Sequence, residues 1–478
     1  MKKRLFLILS LVALTASALW MLSPNDIGPR LVVPLNGVTI PAHRKDPVAK
    51  AQKFVSLSEA GQAELFRVGG RFDFSPVDGV SLGVEVQSVE TNEDGSLLSQ
   101  GTVVGEPGSV AVFSEVKGAV AGSVELADGR LFTINYVVPG VHCTAEVDFT
   151  TGLLDCGSCD DERPKDLPRG MVMEYYGGNS NGQLRRSLRG TRPSGSGTKT
   201  RPTTKKPTTK KPSNSSKKKS GSGCGLNKST SKKPNTKKST TKKSSSASAR
   251  IDLMVVYTPG AAKMFGGEKG IKARVNVAVS RSNKAFSDSK IKASLNLVHA
   301  GQVNYTSDGK MSDDLMNVSI RKTELKKQVA KLRKKYKADL ITLVTEKAPG
   351  NVAGLGFLLN RKSPSPQWGF NVVAGRALYY SVLAHECGHN LGCTHDKSNS
   401  GCKPMDDYGY GWRFHASDGK NTRQYRTIMA YAPGNRIGYF SNPNVKYNGV
   451  PTGVANQADN ARVINITAAI VARNSEQK

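Results

Sequence analysis

At 478 residues the chain has room for two or three domains, each able to bury its own core. After its first two dozen residues no segment approaches the ~20 apolar residues of a membrane-spanning helix, which excludes a later span. The formal charge of +31 is unevenly spread: residues 1–180 carry a net −7, residues 181–249 a net +20 with no acidic side chain, and residues 250–478 a net +18.

Residues 1–18 read as an export signal. Lys2, Lys3 and Arg4 precede an apolar run from Leu5 to Leu14, and Ala16-Ser17-Ala18 offers a small-residue cleavage site. Leu19, Trp20, Met21 and Leu22 prolong the apolar stretch, so an uncleaved anchor is the alternative. Either way the folded part is expected to be secreted or extracytoplasmic. Seven cysteines in such a chain read as disulfides plus one leftover thiol.

Residues 19–180 form the expected acidic, β-rich domain. Leu82, Val84 and Val86 alternate with small or polar neighbours, and "GSVEL" and "RLFTINY" flank Asp128-Gly129, a hairpin-turn signal. Cys143, Cys156 and Cys159 close the region, two of them expected to pair as a local staple. A redox or metal site at Cys156-Gly-Ser-Cys159 is the weaker reading, because no second Cys pair accompanies it.

Over residues 181–249 the composition collapses to Lys, Thr, Ser, Pro, Gly and Asn, with "TTKKP" twice in tandem at Thr203–Pro212. So little apolar surface cannot offset ordering entropy and the like charges repel, which predicts a disordered linker. Such a tract can contact polyanions through phosphate or sulfate groups. The blander use, an extended tether open to proteases, is preferred.

Regular structure is expected to resume at Ile251. "IDLMVVYT" reads as a buried strand, and Ile271, Val275, Ala278, Ser282 and Phe286 recur at helical spacing. "KASLNLV" follows as a strand, Leu325, Val329, Leu332 and Tyr336 mark an amphipathic helix, and "ADLITLVT" is a third strand. Alternating strands and helices imply an α/β layer ahead of a loop-rich tail.

That layer leads into "HECGHNLGCTHD", His385 to Asp396, which holds three of the seven histidines. His385 and His389 are four apart and share one face of a helix, with Glu386 on the same turn. Gly392 suits a left-handed helix end that brings His395 back toward the other two. Three neutral imidazoles around one point make a catalytic Zn2+ site with a fourth position left for water. Glu386 is then placed to take that water's proton and pass it to a leaving amine. His43, His142, His299 and His415 lack such company and read as surface or loop residues. Cys387, a lone buried thiol, is assigned no chemistry. Cys393 and Cys402 are close enough in sequence to form a disulfide pinning the third ligand's loop.

The pattern HExxHxxGxxH is the metzincin zinc signature. Over about 250–478 the chain resembles the adamalysin/reprolysin branch, with Asp396 directly after His395. The tail "IMAYAPGNRIGYFSNP" looks closest to bacterial peptidyl-Asp metalloendopeptidases, and "GTVVGEPGSVAVFSE" with "GSVELADGRLFTINY" is similar to reprolysin propeptides. The resemblance implies a metzincin-type α/β catalytic domain at 250–478, with a twisted mixed sheet and a loop-rich C-terminal subdomain, behind a β-rich prodomain. It places Met429 in a methionine turn beneath the metal. At Tyr431 animal members usually have proline; a tyrosine at that offset in astacins and serralysins helps stabilise the oxyanion, so Tyr431 either does this or packs in the turn. It implies that substrate lies as an added strand along "NVAGLGFLLN", where Gly354 and Gly356 permit close approach. It also implies latency through a cysteine switch, for which Cys224 is the candidate and Cys156 the alternative.

The expectation is therefore a monomeric, secreted zinc endopeptidase made as a zymogen, acting on protein or peptide substrates. The +18 balance and the peptidyl-Asp resemblance both favour acidic substrates, cut on the amino side of aspartate. The alternative is a polyanion-binding surface protein that acts through its lysine-rich tract.

Overall fold

The computed structural model describes residues 27–35, 49–147, 166–167, 173–176, 248–347, 352–379, 381–417, 419 and 421–476, with backbone alone for 173–176. The export segment, the lysine-rich tract, His43, Cys156, Cys159 and Cys224 lie outside the described residues. Among the described residues no helix is long and apolar enough to cross a membrane.

Nine antiparallel strands between Val32 and Val147 build the N-terminal sheet. The expected hairpin is there: Ala119–Glu125 pairs with Leu131–Val138 around Asp128-Gly129, where Gly129 adopts φ 91°. Residues alternate between two faces, and both faces are covered. On Val110–Val116, Ala111 and Phe113 enter a core with Phe72, Phe74 and Phe132, the first two edge-on to Phe113 at 5.6 and 5.7 Å. Val112 and Val116 face the other way, with Leu98 and Ala121, onto Ala273 and Val277 of the helix Glu268–Asp288.

The second sheet has six strands in the order Met173–Tyr176, Gly354–Phe357, Phe370–Ala374, Leu340–Thr345, Ala249–Tyr257, Ala293–Gln302. The last four are parallel to one another, and the first two join antiparallel. Leu340–Thr345 is buried at every residue, as a central parallel strand between covering layers requires. The expected strands at "IDLMVVYT", "KASLNLV" and "ADLITLVT" are all present.

Both expected helices form. Ile271, Val275, Ala278, Ser282 and Phe286 are all buried on Glu268–Asp288. Glu324–Tyr336 starts at a Thr323 cap, whose hydroxyl accepts from Lys326 N at 3.1 Å, and ends at Lys337 with φ 53°. The periodicity gave no warning of the helix Met311–Ser319 or the strand Phe370–Ala374. The described residues make one compact unit, in which the helix Glu268–Asp288 serves the cores of both sheets.

The reading of His142 as a surface or loop residue is corrected. It sits buried on Val141–Val147, its Nε2 accepting from Val120 N at 3.4 Å, and burial pulls its pKa down to about 4. His299 lies on Ala293–Gln302, its ring stacked 4.1 Å from Tyr336. His415 is exposed, as expected.

Candidate metal centre and peptide-binding edge

The helix Val382–Asn390 is buried along its whole length, so its polar side chains are held by the protein rather than by solvent. It ends at Gly392 with φ 90°, and two bonds close that end: Gly392 N donates to His389 O, and Cys393 N to Gly388 O, both at 2.9 Å. This is the paired arrangement that glycine permits just past a helix. An alanine Cβ at 392 would lie 2.8 Å from Met405 Cβ. The turn returns the chain so that His395, on the short strand Thr394–Asp396, faces the helix.

His385, His389 and His395 come together as the sequence implies, with ligand atoms all within 4.8 Å of one another. His385 Nε2 and His395 Nε2 are 3.2 Å apart. His385 Nδ1 lies 2.8 Å from Ile428 O, and His389 Nδ1 2.9 Å from Cys393 O. A carbonyl can only accept, so each Nδ1 carries the proton and each Nε2 turns a lone pair inward. Burial, then the neighbouring His389 and His395, pushes His385 well below its ordinary pKa, which favours the neutral form a metal needs. Three buried, convergent imidazoles fit a zinc ion.

Glu386 is fully buried on the same helix. A Cβ at Gly354 would come within 2.4 Å of Glu386 Oε1, and one at Gly356 within 3.1 Å of Oε2. The strand Gly354–Phe357 thus passes directly against the carboxylate, and glycine is what lets it. The strand within "NVAGLGFLLN" adjoins the helix Val382–Asn390 and is paired on both sides, with Phe370–Ala374 and, on its outer side, with Met173–Tyr176.

Met429 is buried beneath the helix, its sulfur 2.7 Å from where a Gly388 Cβ would stand. Gly388, inside the HExxH motif, therefore makes the room that Met429 occupies, a role that sequence reading did not give it. The Tyr431 ring lies tilted at 34° against His395, ring centroids 4.1 Å apart, and its N donates to Asp396 Oδ2 at 3.0 Å. Asp396 also accepts from Arg413 Nη2 at 2.8 Å and from Ser398 and Asn399. It ties the segment carrying His395 to the turn that carries Met429.

Asn390, also unremarked in the sequence, spans helix and sheet. Its Nδ2 lies 2.9 to 3.0 Å from the carbonyls of Phe357, Trp368 and Phe370, and its Oδ1 accepts from Asn371 at 2.8 Å. The only hint was a polar residue directly after the second ligand.

The expected Cys393–Cys402 disulfide is absent. Cys393 Sγ turns into the core, 3.7 Å from Asn460 O at the start of the C-terminal helix. The helix-end turn fixes that direction, and the His389 bond to Cys393 O already holds the loop. Cys387 is buried, with its thiol pushed up to about 12 by burial and the adjacent Glu386, in keeping with an inert role.

Residues 247–458 match the family described as metallo-peptidase family M12B, reprolysin-like. A peptidyl-Asp metalloendopeptidase of Stenotrophomonas maltophilia is 32% identical over 229 residues, 47% of this chain and 52% of that protein. A protein of the same name from Xanthomonas campestris is 33% identical over 229 residues, covering 47% and 51%. One from Pseudomonas aeruginosa is 27% identical over 249 residues, covering 48% and 40%. The chain spans about half the length of these curated relatives or less. The motif, its geometry and the family match agree in likening residues 247–458 to the reprolysin-like metallopeptidase domains of family M12B.

Proposed function

We propose that the chain is a secreted zinc-dependent endopeptidase made as a zymogen, with His385, His389 and His395 as the metal ligands and Glu386 as general base and acid. The observation that carries this reading is the convergence of three buried imidazole Nε2 atoms beside a buried carboxylate that two glycines make room for. A zinc ion in that position supplies Lewis acidity to a water and to the scissile carbonyl. The chain's own groups do the rest. Ile428 O and Cys393 O hold the tautomers and ring orientations of His385 and His389. Glu386 accepts a proton from the attacking water at its carboxylate and returns it to the leaving amine.

Tyr431, its ring tilted against His395 and its N bonded to Asp396, supports charge that develops on the substrate carbonyl oxygen in this reading. The strand Gly354–Phe357 is the edge along which a substrate backbone aligns. Similarity to proteins named peptidyl-Asp metalloendopeptidase, together with the net +18 of residues 250–478, supports a preference for cutting before aspartate. No observation favours the reading as a polyanion-binding surface protein, whose tract lies outside the described residues.

The test is Glu386→Gln in the purified chain. Bound zinc should stay at one equivalent while peptide hydrolysis falls at least about a hundredfold, the usual scale of general acid–base catalysis. Retention of more than about a tenth of the original turnover would rule out Glu386 as the base.

A further inference from the structure

The helix Glu324–Tyr336 divides its side chains by face. Leu325 and Val329 are buried, and Leu332 and Tyr336 pack partly buried against the same core. Helical spacing puts Lys327, Lys331 and Lys334 in one exposed stripe on the opposite side. From Lys322 to Lys337 the chain carries eight basic side chains and one acidic one, Glu324. Lys327 pairs with Glu324 at 2.6 Å, while Lys331, Lys334 and Lys337 have no carboxylate partner among the described residues. Like charges three and four residues apart destabilise a helix, so an acidic partner laid along the stripe relieves a repulsion that the fold leaves in place.

This helix is seated beside the peptide-binding edge. Arg333, turned inward, donates to Pro366 O at 3.0 Å and to Asp339 O at 2.9 Å, and its guanidinium lies over the Phe370 ring. The turn Pro366–Trp368 that it holds reaches the helix Val382–Asn390, because Asn390 donates to Trp368 O and Phe370 O. Asn390 donates also to Phe357 O, at the end of the edge strand. Arg361, exposed and four residues beyond Phe357, lies 4.2 Å over the Trp368 ring. Cationic groups thus run from the Phe357 end of the edge strand, past Arg361 and the Pro366–Trp368 turn, to the lysine stripe.

The chemistry of the stripe narrows the partner. Its exposed cations are lysines, point charges without the guanidinium fork, so they read charge density and not one planar group. The one aromatic side chain of the helix, Tyr336, is already stacked on His299 with centroids 4.1 Å apart, which leaves no platform for a nucleic-acid base. A polypeptide lying along the edge strand continues toward this face by its own chain. We infer that the lysine face of Glu324–Tyr336 is a docking surface for an acidic segment of the polypeptide substrate, to one flank of the bond that is cut. This rests on the peptidase reading above and gives that reading's acidic substrates a second contact.

Binding is read first, in the full chain carrying Glu386→Gln. The probe is a peptide with one aspartyl site and a run of glutamates on its amino- or its carboxyl-terminal flank; the same peptide without the run is the reference. Lysine acylation followed by mass spectrometry reports each lysine separately, those of the tract included. One of the two glutamate-bearing peptides should slow acylation of Lys327, Lys331 and Lys334 about fivefold or more, and that of the exposed Lys263, Lys269 and Lys446 less than about twofold. Lys327→Gln/Lys331→Gln/Lys334→Gln, which keeps good helix formers, should weaken binding of that peptide about tenfold at low salt. Lys263→Gln/Lys269→Gln/Lys446→Gln, with the same loss of charge, should weaken it less than about twofold, and high salt should erase the difference between the two variants. With Glu386 intact, the stripe variant should lose about tenfold in kcat/KM on the glutamate-bearing peptide and stay within about twofold on the reference peptide. Protection confined to the tract, equal losses in the two variants, or equal losses on the two peptides overturns the proposal. Dextran sulfate protecting the stripe where neither glutamate-bearing peptide does would assign the face to a sulfated polysaccharide and overturn it as well. Selective binding without hydrolysis of any peptide would support the acidic-peptide surface and sink the peptidase reading instead.

Discussion

Two helices of this protein bury polar side chains, and they do so to opposite ends. On Glu268–Asp288, Arg274, Asn276 and Arg281 are each matched to acceptors on the N-terminal sheet, and the groups diverge along the interface. On Val382–Asn390, His385 and His389 turn toward one point shared with His395, with Glu386 beside them. Both helices lie against apolar cores. Burial of polar groups alone therefore does not distinguish docking from chemistry. Convergence of lone pairs on a common centre does, because only that arrangement creates a place for a cation.

The largest effect should come from removing convergence. His389→Ala should abolish stoichiometric zinc binding, seen by metal analysis, and lower hydrolysis by at least about a thousandfold, since ligand and catalysis fail together. Survival of metal and turnover would make the histidine cluster as structural as the arginine one.

Arg274→Met tests the other helix. It should cost about 3 kcal/mol in denaturant unfolding, because Gly122 O and Ile134 O lose a charged donor in a buried interface. Zinc content should not change. An unaltered unfolding midpoint would show that the interface does not need the guanidinium.

Gly354→Ala sharpens the contrast at the edge strand. A Cβ there would stand 2.4 Å from Glu386 Oε1, so the carboxylate must move. Hydrolysis should fall about a hundredfold with zinc retained, the mark of a displaced base rather than a lost ligand.

The smallest effect concerns a buried carboxyl outside both helices. Burial raises Asp314 to about 6, against the lowering effect of bonds from Tyr305 and Ser307. Its folded pKa lies above its unfolded one, so the folded chain binds the extra proton between about pH 4 and 6. The stabilising contribution is complete below about pH 4 and is lost as pH rises through about 6. Asp314→Asn should remove about 2 kcal/mol of this pH dependence, read as the difference between the two chains' unfolding free energies at pH 4 and pH 7. Parallel stability curves for the two would refute the assignment.

Much of the site was legible because its determinants are local. Four-residue spacing puts His385 and His389 on one face, and Gly392 admits the left-handed turn that returns His395; each follows from backbone geometry within eleven residues. The strands at "IDLMVVYT" and "ADLITLVT" and the helix carrying Ile271 to Phe286 were legible for the same reason, since burial imposes a short period on the sequence. Cys393 shows the limit: proximity to Cys402 in sequence suggested a bond, while the direction of the turn sent its thiol toward Asn460.

The sequence by itself determined the grouping of His385, His389 and His395, the glutamate beside them and the alternation of strands and helices, because these are written in residue type and spacing. Only the tertiary structure decided what meets them across long separations. It brought Met429 under Gly388, Tyr431 over His395, Gly354 against Glu386 and Met173–Tyr176 onto the edge. It also turned the helix Glu268–Asp288 into a wall between two cores, a demand that its periodicity toward one core does not record. Such contacts depend on how separately patterned surfaces pack, and no local period carries that information.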